Sequence, residues 1–275
     1  MTIRVGLIGC GAIGTTIALA IDNGEAGDIK LVIVYDIVRE RAVRLANSLS
    51  EKPVVADSYK DVTRSPNVNL VVEAASQQAV RDYVSDALAN GKDVMILSVG
   101  ALSDPELLES LKNIARKYGR RIFIPSGAIA GIDGVKAAAI GGIEEVVLIT
   151  RKPPKALADS PYIAEKGIKL EAISEPTMLY EGLAEDAIRK FPRNINVAMT
   201  LSLAGIGPRR TIVKVVADPT INRNIHEIRV RGRFGELTVV TCNVPSPMNP
   251  RTSYLAALSA IRMLKNLSEP ILVGT

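Results

Sequence analysis

The chain of 275 residues carries 34 lysines and arginines against 29 aspartates and glutamates, a net charge of +5, with 47% hydrophobic and 4% aromatic residues. That length suits one large domain or two ordinary ones, two being the expectation here, and the composition excludes a disordered or low-complexity protein. The positive charge invites a nucleic-acid reading, but the basic residues stand in small separate groups such as "RKYGRR" and "GPRRT" and aromatics are few, so a small anionic ligand explains the balance equally well, and no nucleic-acid partner is expected.

In chain order, "IRVGLI", "IKLVIVYD", "PVVA", "VNLVVEAAS", "DVMILSV" and "RIFIPSG" read as six strands. Segments with helical spacing lie between them, such as Ile13, Ile17 and Ile21, or Leu107, Leu108, Leu111 and Ala115. Near-continuous apolar strands alternating with helices predict a doubly wound parallel sheet of the Rossmann type. The uncharged run Val5 to Ile21 approaches the length of a membrane span. Its glycines at 9, 11 and 14 favour a buried strand, a tight turn and a buried helix, so the expectation is a cytoplasmic protein with no membrane contact.

Beyond Ser126 the strands become longer and more alternating: "EEVVLITR", "GIKLEAIS", "RTIVKVVAD", "IHEIRVRGR" and "ELTVVTCNV", the last two joined across "FGE" as a hairpin. Helices are expected over Leu179 to Lys190 and Ile195 to Ala204. The pattern predicts a second α/β domain, a mainly antiparallel sheet with helices on one face. After the connector "VPSPMNP" an amphipathic helix, "RTSYLAALSAIRML", is expected to return to the first domain, dividing the chain into 1–125 with 247–275 and 126–246. Cys10 and Cys242 lack CxxC spacing and are expected as core fillers, and no metal site is expected.

"GLIGCGAIG" places Gly9, Gly11 and Gly14 in dinucleotide-binding spacing directly after a strand. The first glycine allows the tight turn, the second the approach of a pyrophosphate, and the third close packing of helix on strand. The N–H groups of the following helix, from Ala12 and Ile13 onward, and its dipole would face the phosphates. Asp36 closes the second strand where an acid meets ribose hydroxyls, or else it caps the next helix. Arg39 stands near enough for a 2′-phosphate, so the cofactor is NAD or NADP. Ala74 and Ala75 in "VVEAAS" and Ser98 in "LSVGAL" sit at strand ends where open parallel sheets bind ligands.

The single histidine, His226, stands in "NRNIHEIRVRG". The expectation is that Asn222, Asn224 and His226 share one strand face with the guanidinium groups of Arg229, Arg231 and Arg233, a face suited to a small polyanion. In "FPRNINVA", Asn194 is expected to cap a helix, with Asn196 inside it and available to a nicotinamide or a substrate.

The motifs "GLIGCGAIG", "VEAAS", "SVGAL", "PSGAIAGIDG", "TRKPP", "FPRNINVA", "NIHEI" and "NPRTSYLAALSAI", in this order, resemble the L-aspartate dehydrogenase family along almost the whole chain. The resemblance implies a Rossmann domain and a substrate domain like those of dihydrodipicolinate reductase and homoserine dehydrogenase. It implies oxidation of L-aspartate with NAD or NADP to iminosuccinate, a precursor in NAD biosynthesis. By the same resemblance His226 is the catalytic histidine, and Ala128 and the "NIN" asparagines, foremost Asn196, contact the cofactor. An imidazole suits proton transfer from the amine, although it could equally anchor a carboxylate. Lys152 in "TRKPP", Asn222, Asn224 and Arg229 are the substrate candidates, and a homodimer is expected. A homoserine dehydrogenase-like or dihydrodipicolinate reductase-like enzyme is the alternative, followed by an NAD-sensing regulator, for which no helix-turn-helix signature is evident.

Overall fold

The computed structural model describes residues 2–192 and 196–274. They divide into two compact units, Met1–Pro125 with Ala257–Val273, and Ser126–Ala256 with Gly274–Thr275.

The first unit begins β1 (Ile3–Ile8), α1 (Ala12–Asp22), β2 (Ile29–Tyr35), α2 (Arg39–Ser48), β3 (Val54–Val55) and α3 (Tyr59–Thr63). It continues β4 (Leu70–Glu73), α4 (Gln77–Ala89), β5 (Asp93–Ile96), α5 (Pro105–Tyr118) and β6 (Ile122–Phe123). The six strands form one parallel sheet in the order β3-β2-β1-β4-β5-β6. That order reverses direction beside β1, the point where such sheets bind ligands at the carboxyl ends of their strands. β4 reads "LVVE" and is buried throughout because helices cover both faces of the sheet. Local chemistry sets the helix ends. Asp104 accepts the N–H groups of Glu106 and Leu107 at the start of α5, and Gly119, with φ of 62°, closes it.

The second unit contains α6 (Ile132–Gly141), β7 (Ile143–Lys152), α7 (Pro161–Glu165), β8 (Thr177–Leu183), α8 (Ala184–Lys190) and α9 (Asn196–Ala204). It then forms β9 (Thr211–Ala217), β10 (Asn224–Gly232), β11 (Gly235–Asn243), β12 (Pro245–Ser246) and β13 (Asn249–Ser253). The main sheet runs β11-β10-β7-β9-β8, antiparallel except for the parallel pair β7 and β9. β9 and β10 alternate buried with more exposed positions, and α6 packs against β7 and β10 while α8 and α9 pack against β9. One face of the sheet is therefore the core.

Three expected elements differ. "GIKLEAIS" forms no strand, only a short 3-10 turn over Leu170–Ala172. The edge of the sheet is taken instead by β8, so the helix expected from Leu179 begins at Ala184. "VPSPMNP" carries the small two-stranded sheet β12-β13 and stays with the second unit. Last comes α10 (Tyr254–Asn266), whose Ala260, Ile261 and Leu264 join the core of the first unit.

Candidate active site

In the first unit, Gly9 adopts φ of +100°, and a Cβ there would stand 2.6 Å from the Ala74 carbonyl. A Cβ on Gly14 would come within 1.9 Å of the Gly9 carbonyl oxygen, so α1 lies directly on the turn. At Gly11 the situation is opposite: a Cβ would meet nothing within 4 Å. Gly11 opens α1 without a side-chain cap and with no acidic residue in the first turn. The N–H groups of Ala12 and Ile13 belong to that turn, which has no intrahelical acceptors and favours an anion.

Asp36 is fixed beside this turn. One carboxylate oxygen accepts the Cys10 N–H at 2.8 Å and the other the Val38 N–H at 2.8 Å. The carboxylate thus joins the glycine turn to the start of α2, and the capping and cofactor readings of Asp36 are compatible. Gly9, Gly11, Asp36, Ala74 and Ala75 line one cleft of about 290 Å³ together with Tyr35, Arg41 and Tyr83. An open glycine, an uncapped helix start and an anchored carboxylate fit the pyrophosphate and ribose of a dinucleotide. Arg39 is engaged elsewhere, 3.0 Å from Asp57, and the guanidinium lining the cleft is that of Arg41. Burial and the Asp36 charge push the Cys10 thiol up to about 12, which makes it an inert filler, whereas Cys242 is exposed rather than in the core.

Ser98 follows β5, and its partner is a residue outside the sequence expectations. Glu73, the last residue of β4, is 1% exposed. Its Oε1 accepts the Ala75 N–H at 2.8 Å, the Ser76 N–H at 2.9 Å and the Ser98 hydroxyl at 2.9 Å, and its Oε2 accepts the Ser98 N–H at 3.0 Å. Burial raises its pKa above the ordinary carboxyl value, and the four donors oppose that rise.

In the second unit the buried sheet face changes character along its length. Val146 and Leu148 on β7, with Ile228 and Val230 on β10, are apolar. Thr150 and Lys152 then continue β7, while Asn224 and His226 occupy the matching end of antiparallel β10. β11 adds Thr241 opposite His226 and Asn243 opposite Asn224. His226 is 3% exposed, and its Nδ1 lies 3.1 Å from Thr150 Oγ1, the direction of the bond depending on the tautomer. Asn224 Nδ2 donates to Ser253 Oγ at 3.2 Å. Ala128 is drawn to the same end, its carbonyl accepting Asn243 Nδ2 at 2.9 Å and Thr241 Oγ1 at 3.1 Å.

The electrostatics follow from this burial. Desolvation lowers Lys152 to about 8, and desolvation with the Lys152 charge lowers His226 to about 3. His226 is already neutral when Lys152 titrates, so the repulsion acts on the imidazole alone. At neutral pH the pair is one ammonium beside one neutral imidazole.

Of the residues expected on this face, Asn222 precedes the strand, is exposed, and accepts from Arg223 Nε at 3.2 Å. Arg229 lies on the opposite, exposed face and pairs with Glu227, because positions 224 and 226 differ in parity from 229, 231 and 233. Asn196 is the first described residue of α9, and Asn194 lies outside the described residues. Thr150, Thr241, Asn243 and Glu73 were not anticipated. For the first three, the signal was the cross-strand register of His226 and Asn224. Among the described residues there is no cluster of His, Cys, Asp and Glu able to hold a metal ion, and no helix is long and apolar enough to cross a membrane.

The family described as aspartate dehydrogenase, C-terminal, matches residues 133–267, and the homoserine dehydrogenase NAD binding domain matches residues 9–125. The L-aspartate dehydrogenase of Methanosarcina mazei is 50% identical over 99% of this chain and 100% of its own, and that of Methanocella arvoryzae is 50% identical over 99% of each. The crystal structure of aspartate dehydrogenase from Thermotoga maritima aligns with a TM-score of 0.78 at 29% identity over 100% of both chains. A homoserine dehydrogenase from Thiobacillus denitrificans, with a TM-score of 0.63 at 16% identity over 97% of this chain and 73% of its own, shares the fold alone. With half of all positions identical to enzymes matched from end to end, the chain belongs to the L-aspartate dehydrogenase family.

Proposed function

We propose that the protein oxidises L-aspartate with NAD or NADP to iminosuccinate, which water converts to oxaloacetate and ammonia, and that it supplies NAD biosynthesis. The observation carrying this reading is the buried polar end of the second sheet, where Lys152, His226 and Asn224 replace the apolar residues of the same face. A small dianion needs a cation and amide donors in a desolvated place, and a charge-assisted bond to a carboxylate there contributes roughly 1.5 to 3 kcal/mol.

A bound nicotinamide would supply the acceptor for the hydride leaving the aspartate Cα. Before that transfer the substrate ammonium must lose a proton. Neutral His226 is in the form that can accept it, and Thr150 Oγ1 at 3.1 Å from Nδ1 orients the ring. Lys152 holds a carboxylate. Burial is the larger cause of the low His226 value and the Lys152 charge the smaller, so a carboxylate paired with Lys152 offsets only the smaller part and makes the imidazole a somewhat stronger base. Asn224 and Asn196 are the remaining amide candidates, for substrate and cofactor respectively, and Ala128 lies at the same end as His226. The enzyme acts as a cytoplasmic homodimer without nucleic acid or membrane.

The test is oxidation of NADH or NADPH with oxaloacetate, with and without ammonium. Ammonium-dependent consumption is expected. Reduction without ammonium would indicate a hydroxy-acid dehydrogenase, and no reaction in either direction would favour a homoserine dehydrogenase-like enzyme.

A further inference from the structure

Glu73 is a carboxyl group in the core of the first unit, placed at the carboxyl edge of the parallel sheet where ligands bind. We infer that Glu73 is a positioning residue of the dinucleotide site, whose carboxylate ties the turn after β4 to the turn after β5 and holds the Ala74–Ala75 wall of the cleft in place. The inference rests on the dinucleotide reading of that cleft.

Its two oxygens have different tasks. Oε1 gathers the N–H groups of Ala75 and Ser76 and the Ser98 hydroxyl, while Oε2 takes only the Ser98 N–H. Three of the four donors are main-chain groups, so the carboxylate fixes backbone. The turn it fixes is the one a Cβ at Gly9 would strike, 2.6 Å from Ala74. Ala74, Ala75 and Ser76 line the cleft with Gly11 and Asp36. A displacement of this turn therefore reaches the glycine turn directly. A packing role alone would be met by an apolar residue, since burying a carboxyl is costly unless its hydrogen bonds are needed.

Glutamine separates the two tasks. In Glu73→Gln the amide oxygen can keep the three donors at the Oε1 position, but the amide NH2 then faces the Ser98 N–H, donor against donor. Glu73→Ala removes every link. Hydrogen exchange of the cofactor-free protein is expected to show the Ser98 amide exposed in Glu73→Gln with Ala75 and Ser76 still protected, and all three exposed in Glu73→Ala. NADH affinity, read by direct titration of nucleotide fluorescence, is expected to fall about tenfold in the first and further in the second, the scale of losing one and then several hydrogen bonds to a charged group. Leu264→Ala, a cavity variant in the core of the same unit, controls for lost stability. Unchanged Ser98 protection in Glu73→Gln would overturn the assignment, as would NADH affinity reduced no more than in an equally destabilised Leu264→Ala protein. Failure of the wild-type protein to bind NADH at all would overturn the dinucleotide reading itself, and the inference with it.

Discussion

Both carboxylate oxygens of Asp36 are held by backbone N–H groups, those of Cys10 and Val38, so the side chain cannot readily swing aside for a 2′-phosphate. Each oxygen retains a lone pair for a ribose hydroxyl. Arg41, which lines the cleft, is the cation available to a phosphate, since Arg39 is paired with Asp57. Asp36→Ala is expected to weaken NAD binding about tenfold and NADP binding less, whereas Arg41→Ala should weaken NADP selectively. Titration of both nucleotides against both variants checks this, and equal losses for the two nucleotides would remove Asp36 and Arg41 as the discriminating pair. At this scale the tight glycine turn after β1 and the place of Asp36 after β2 could be read in advance, because their spacing is local. Glu73 could not, because its donors come from two turns, at Ala75–Ser76 and at Ser98, that only the sheet order brings together.

The strand β10 carries two chemistries on its two sides. Asn224, His226, Ile228 and Val230 point to the core, and Glu227, Arg229 and Arg231 to the outside. Arg229→Ala should leave the Michaelis constant for aspartate within about twofold, because it deletes half of an exposed ion pair with Glu227. Asn224→Ala should raise it about tenfold, since it removes a buried amide from the polar end. Steady-state kinetics of the two variants decide the matter, and a larger effect from Arg229→Ala would put the substrate on the other face. The same periodicity explains what could be read in advance. The six parallel strands follow from short, dense apolar patterns, and the β10-β11 hairpin from longer, alternating ones. The region from Leu179 to Lys190 misleads because Tyr180, Ala184, Ala187 and Ile188 satisfy helical spacing, yet Tyr180 belongs to β8, which pairs with β9 along the sheet edge. Nonlocal pairing overrides local spacing there.

The whole molecule has a pH dependence to which one buried residue contributes with a definite sign. His226 titrates at about 3 in the folded protein against an ordinary value near 6.5, so between these the unfolded chain binds a proton that the folded chain refuses. The stability associated with a neutral His226 is present in full above about pH 6.5 and is lost progressively as pH falls toward 3. His226→Gln should flatten that part of the dependence, by an amount on the order of a few kcal/mol. Urea unfolding of both proteins from pH 7 to pH 4 measures it, and parallel curves would show that the imidazole is not buried as described. Lys152 obeys the same sign: its penalty is complete below about 8 and is relieved as pH rises toward 10.5, where the ammonium needed for a carboxylate is gone. Stability and substrate affinity should therefore move in opposite directions above pH 8. A last consequence lies in α10, whose Ala260, Ile261 and Leu264 complete a core begun by β1 and α1. On a ribosome the second unit, contiguous from Ser126 to Ala256, is fully synthesised before the first has its final helix. The part of the protein made first is thus the part that must wait, one helix short on the α1 and α2 side of its core, until the whole of the second unit has been made.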